Sequence, residues 1–185
     1  MAPARFLLVP LLLAAALPAA PDPARGQAAA EYEVKASFLY NFIQFVDWPE
    51  AAFYDGRSSF RVCVLGDDPF GDSLKTVVKE EVAGRKLTLW RVKAMNDPAG
   101  CQLLFVSPSE RQRLPQILAA VRGAPVLTVG DTEGFLEKGG IINFVGEGAR
   151  VRFEINQDMA KQSGLRISSK LLRLATRVVP GAPEP

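Results

Sequence analysis

Phe60-Arg61-Val62-Cys63-Val64-Leu65, closed by Gly66, is a short apolar run of the kind that makes a strand covered on both faces. Leu103 to Ser107 and Val126 to Val129 have the same form, and Leu87, Leu89 and Val92 mark a less regular fourth strand. Helical patterns lie between them. Asp68-Pro69 offers an N-cap followed by proline at the first helical position, predicting a helix to about Glu81, and Pro108 to Val121 predicts another. Strands that alternate with helices imply a largely parallel sheet with helices packed on its faces.

The two ends add different elements. Glu31 to Asp47 reads as a helix, with Val34, Phe38, Phe42 and Phe45 on one face and Leu39, Ile43 and Val46 beside it. Trp48-Pro49 closes it, because proline disfavours helix in the residue before it. Thr132 to Glu137 is at most a short helix. Ile141 to Val145 and Ala149 to Ile155, joined by Gly146-Glu147-Gly148, predict an antiparallel hairpin. A final helix is expected from near Ile167, with Ser163 and Ser168 as caps. The expected fold class is α/β: a three-layer sandwich with a mostly parallel sheet, an antiparallel edge hairpin and flanking terminal helices.

Arg5 precedes Phe6 to Leu17, an apolar run interrupted by Pro10 and too short to span a bilayer. Gly26-Gln27-Ala28 supplies small residues for cleavage. The expected organisation is a cleaved secretory signal over 1–28, one α/β domain over 31–178 and a flexible tail over 179–185. No cysteine follows the apolar run closely, which excludes a bacterial lipoprotein anchor. The expected location is the periplasm.

Charge and residue types narrow the chemistry. A formal net charge of +2 on 185 residues argues neither for nucleic acid nor for a strongly anionic surface as partner, and no nucleic-acid partner is expected. Histidine is absent, which removes the Ser-His and Cys-His nucleophile pairs and every histidine-based metal site. Catalytic, cofactor and metal residues are therefore expected to be absent. Carboxylates alone could still serve a hydrolase, a weaker reading.

The two cysteines, Cys63 and Cys101, each lie near the start of a predicted strand. On an exported chain they could form a disulfide between adjacent parallel strands, or remain two buried thiols. Asp67 and Asp68 follow the first strand and Ser107 ends the third, where open α/β sheets place ligands. These three residues form a candidate ligand crevice. The alternative is a helix cap and turn. On the expected last helix, Arg166, Lys170, Arg173 and Arg177 recur as a basic face opposite Ile167, Leu171, Leu174 and Val178. That face is either solvated or a docking surface for an acidic partner or membrane headgroups.

Lys35-Ala36-Ser37-Phe38-Leu39-Tyr40-Asn41-Phe42, Cys63 to Gly71, Leu127-Thr128-Val129-Gly130-Asp131, and Arg152 to Asn156 running on to Gly164 to Leu172 together resemble the YfiR-like family, over roughly Glu31 to Val178. The resemblance implies a small exported protein that regulates rather than catalyses. It implies binding to the periplasmic sensor region of an inner-membrane diguanylate cyclase, which is held inactive so that cyclic-di-GMP falls. It further implies sequestration of the repressor by an outer-membrane peptidoglycan-binding lipoprotein, and a homodimer is a further expectation. It adds weight to the bridge, since a cysteine pair at these two positions occurs among family members. An additional cysteine pair that some relatives carry around the Gly140-to-Gly148 hairpin is missing here. Partner contact is expected on the hairpin and last helix, at Phe144, Glu154, Arg166 and Lys170. The alternative function is a periplasmic small-molecule sensing module that reports to a membrane sensor kinase through the Asp67, Asp68 and Ser107 crevice.

Overall fold

The strand β2 (Ser59–Leu65) has Phe60, Val62, Cys63, Val64 and Leu65 all buried, so it needs a neighbour on each side and a layer over each face. The computed structural model, which describes residues 23–53, 59–93, 100–147 and 150–179, supplies both. β2 pairs in parallel with β4 (Arg85–Val92) on one side and β5 (Leu103–Val106) on the other. Beyond β5 come β6 (Leu127–Gly130), β7 (Ile142–Glu147), β8 (Arg150–Asn156) and β10 (Arg177–Val179). Beyond β4 lies the two-residue β3 (Glu81–Val82), and the sheet order is β10-β8-β7-β6-β5-β2-β4-β3. The expected three-layer α/β sandwich is present: a mostly parallel sheet, an antiparallel β7–β8 hairpin and helices on the faces. The hairpin's free side is extended by β10, which runs parallel to β8.

One face carries α1 (Pro23–Gln44) and α2 (Ser73–Val77), with α4 (Gln157–Gln162) and α5 (Ser169–Leu174) alongside. Leu39, Phe42, Leu74, Ala160 and Leu171 bury there against Val62, Phe105, Val129 and Phe153. On the other face, Leu114, Ile117 and Leu118 of α3 (Leu114–Ala120) pack with Phe135 over Cys63, Leu65 and Leu104.

Four expectations are corrected. The first helix starts at Pro23 instead of Glu31, since proline suits a first turn and the alanines after it favour helix. Residues 1–22 of the expected signal lie outside the described residues, and the expected cleavage point after Ala28 falls within α1. The same helix stops at Gln44. Val46 and Asp47 form β1, antiparallel to β9 (Arg166–Ile167). The helix's buried apolar stripe is Ala36, Leu39, Phe42 and Ile43, whereas Val34 is 45% exposed.

Asp68-Pro69 does not cap a helix. Asp68 Oδ1 instead accepts the Phe70 N–H at 2.8 Å, and Gly71 at φ +55° breaks the helical run, so α2 begins only at Ser73. It also ends early, because Ala83 and Gly84 at positive φ turn the chain into the β3–β4 hairpin.

The expected 108–121 helix is a short 3₁₀ turn, Pro108–Glu110, followed by α3. The single last helix is replaced by β9, α5 and β10. Pairing of Arg166 and Ile167 with β1 delays the helix until Ser168, whose Oγ accepts the Leu171 N–H. At the far end the Thr176 N–H and hydroxyl both donate to Phe153 O, which draws the chain out onto β8. The unexpected α4 is capped by Asn156 Oδ1, which accepts the Met159 N–H at 3.1 Å. Residues 94–99, residues 148–149 in and beside the expected hairpin turn, and residues 180–185 of the expected tail lie outside the described residues.

Candidate functional site

The crevice expected at Asp67, Asp68 and Ser107 is where the sheet's connections part, at the carboxyl ends of β2 and β5. The three residues do come together, with the Asp68 carboxylate and the Ser107 hydroxyl already engaged by neighbouring residues. Asp67 N–H donates to Ser109 Oγ at 2.9 Å, and Ser109 Oγ lies 3.2 Å from Ser107 Oγ. Asp68 accepts from Phe70 and, through Oδ2, from Arg91. Gly66, at φ +91°, lies so close to Ser109 and Glu110 that a Cβ would collide with both. The Asp68 carboxylate thus holds a turn and neutralises Arg91, while Asp67 is exposed.

Below that point β2 is tied to the residue that opens the β5 segment. Cys63 and Cys101 form a disulfide with a Cα–Cα distance of 6.0 Å, and both are buried. Adjacent parallel pairing of β2 with β5 creates this proximity.

The four expected contact residues are scattered. Phe144 is 3% exposed and stacks under α1 against Phe42, with Phe38 and Phe153 completing the aromatic cluster. Glu154 lies on β8 and accepts from Arg177 at 2.7 Å. Arg166 is on β9, highly exposed and 3.8 Å from Asp47. Lys170 is exposed on α5. No continuous helical basic face links these residues, because Arg166, Lys170 and Arg177 belong to three different elements.

A buried polar cluster went unread in the sequence. Asp131, one residue past β6, accepts from the Tyr32 hydroxyl and from Lys35 Nζ, the latter at 2.9 Å. Lys35 also meets Glu31 at 2.6 Å and stands 4.3 Å from the Tyr32 ring centre. Burial and the Asp131 hydrogen bond push the Tyr32 hydroxyl above its ordinary range. The legible signal was a lysine four residues before Leu39 and seven before Phe42, on the stripe that buries. Among the described residues, no group of three or more acidic or cysteine side chains could hold a metal ion.

The profile of the YfiR/HmsC-like family matches residues 32–176. The chain belongs to that family. Membership of the YfiR/HmsC-like family places it in a regulatory family of periplasmic proteins rather than a catalytic one. Two solved structures share the fold. One is the ABC domain from Streptococcus pneumonia in complex with L-Trp, at 14% identity and TM-score 0.50. The other is a conserved domain protein from Vibrio cholerae o1 biovar eltor, at 13% identity and TM-score 0.53. Each match covers 80% of this chain and 60% of the solved chain, so this protein spans well under the full length of either. No helix among the described residues is long and apolar enough to cross a membrane.

Read on the structure, the segments that carry the YfiR/HmsC-like resemblance interlock. Lys35 of the first bonds Asp131 of the third, and Phe38 and Phe42 pack on Phe153 of the fourth.

Proposed function

We propose that this protein is an exported, non-enzymatic regulator that binds the periplasmic sensor region of an inner-membrane diguanylate cyclase and holds it inactive. The observation that carries the reading is the family match across residues 32–176, nearly all of the described chain. Repression then follows from differential binding: the regulator shifts the cyclase only as far as it prefers the inactive form. Glu154, Arg166 and Lys170 are the proposed contacts. Phe144, buried on β7, packs the hairpin against α1. Sequestration by an outer-membrane peptidoglycan-binding lipoprotein would release the cyclase.

Clean deletion in a strain that expresses the partner cyclase should raise cyclic-di-GMP and surface attachment and reduce motility. Unchanged cyclic-di-GMP would remove the repressor reading. Arg166→Glu with Lys170→Glu should mimic deletion while the protein stays folded; a folded double variant that still represses would move the contact elsewhere.

A second reading, a small-molecule sensor reporting to a membrane kinase, draws support from one feature. A groove of about 650 Å³ is lined by Trp48, Phe53 and Phe60 together with Asp47, Arg85 and Arg166. Ligand retained through purification and lost on Trp48→Ala would favour it over the repressor reading.

A further inference from the structure

Asn143 on β7 stands opposite Glu154 on β8, and Glu154 stands opposite Arg177 on β10. Directly paired residues on neighbouring strands project to one face, so the three form a row. That row lines a groove of about 510 Å³, together with Glu133, Gly134 and Glu137 from the turn after β6. Arg177 Nη2 donates to Glu154 Oε2 at 2.7 Å and to Glu137 Oε1 at 3.0 Å. Two carboxylates thus share one guanidinium, while Glu133 at the rim lies 3.8 Å from Arg111 and Lys138 Nζ donates to Gly134 O.

The Asn143 side chain makes this more than an acidic patch. The residue is 5% exposed, and its Oδ1 is buried without a hydrogen-bond donor. A carbonyl oxygen withdrawn from water and left unpaired is unfavourable, and native interiors rarely tolerate it. A donor arriving from the groove would satisfy it. The carboxylates beside it select a positively charged donor, since charge-assisted hydrogen bonds are the stronger ones. The groove is open, which suits a side chain presented by another surface.

We propose that this groove receives a basic side chain, guanidinium or ammonium, presented by a protein partner, with Asn143 Oδ1 as acceptor and Glu137 and Glu154 as flanking carboxylates. Arg177 is the internal occupant with which the incoming cation competes. This deepens the regulatory reading and rests on it only in taking the partner to be a protein.

The probe is the capped peptide acetyl-Gly-Arg-Gly-amide, titrated into the isotope-labelled full chain and followed by NMR, with acetyl-Gly-Gln-Gly-amide as neutral control. Saturable shifts at the Asn143 side-chain amide and at Glu154 are expected, weakening as salt is added. Glu154→Gln should lower the peptide's affinity about tenfold, and Arg177→Gln, which frees both carboxylates, should raise it about tenfold. Equal shifts with the neutral peptide would overturn the proposal. So would unchanged or reduced affinity in an Arg177→Gln protein that keeps the wild-type spectrum, the result expected if Arg177 only braces β10. These measurements need no cyclase, so failure here and failure of the repressor reading are told apart.

Discussion

Lys35 Nζ donates to Asp131 Oδ2 at 2.9 Å across a contact in which both side chains are more than nine-tenths buried. The bond pins the first helix to the sheet at the end of β6, ninety-six residues away in sequence. Removing one partner of a buried pair leaves the other charged and dry, which costs about 3–5 kcal/mol. Lys35→Ala should therefore destabilise the fold by roughly that amount in urea unfolding. Lys35→Met with Asp131→Leu should recover much of the loss. A double variant as unstable as the single one would show that packing, not charge, is at stake.

Tyr32 predicts an alkaline dependence. Burial, and next the hydrogen bond to Asp131, raise its hydroxyl pKa above the ordinary value of 10.0. The folded protein therefore holds this proton more tightly than the unfolded chain does. The resulting stability is fully present below about pH 10 and is lost as the pH climbs towards the folded value. The stability gap between wild type and Tyr32→Phe should accordingly be constant below about pH 10 and shrink as the pH rises beyond it. A constant gap would mean that the hydroxyl titrates normally.

The Cys63–Cys101 bridge closes a loop with a sequence separation of 38. The chain-entropy model assigns a loop of that size about 4 kcal/mol. Mass spectrometry of protein isolated without reductant should find one intramolecular bridge and no alkylatable thiol. Cys63→Ser should lower the melting temperature; an unchanged melting temperature would show that the bridge adds nothing to the fold.

Phe135 fills the space between Gly130 and Gly140 so closely that a Cβ on either would collide with the ring, which is itself fully buried. Overpacking of this kind costs about 1–3 kcal/mol. Gly140→Ala should show such a loss by thermal unfolding, and Phe135→Leu in the same chain should restore part of it. Full stability of Gly140→Ala alone would mean that the ring has room to shift.

What could be read from the residues alone was the part governed by local pattern. The apolar runs at Phe60–Leu65, Leu103–Ser107 and Val126–Val129 announce strands because burial on both faces leaves no polar alternation. The cysteine bridge required only that those strands be adjacent. The last segment misled because Arg166 to Val178 has helical spacing, yet Arg166-Ile167 and Arg177-Val178-Val179 each find a strand partner far away in sequence. Such pairings are worth more than intrinsic helix propensity and leave no local trace. The Asn143, Glu154 and Arg177 row was hidden for the same reason. It exists only once the register of three strands is known.

The short β10 has a bearing on how the protein survives in company. Without it, β8 would present a row of unsatisfied amide and carbonyl groups along its outer side, the template on which chains recruit one another into aggregates. Three residues, Arg177 to Val179, cover Glu154 to Asn156 on that side. The first carries a charge and the pairing is too brief to seed a long ladder. Arg177 to Val179, the last described residues, thus act as a selvedge, and their loss would expose the sheet edge to self-association as well as removing Val179 from the core beneath it.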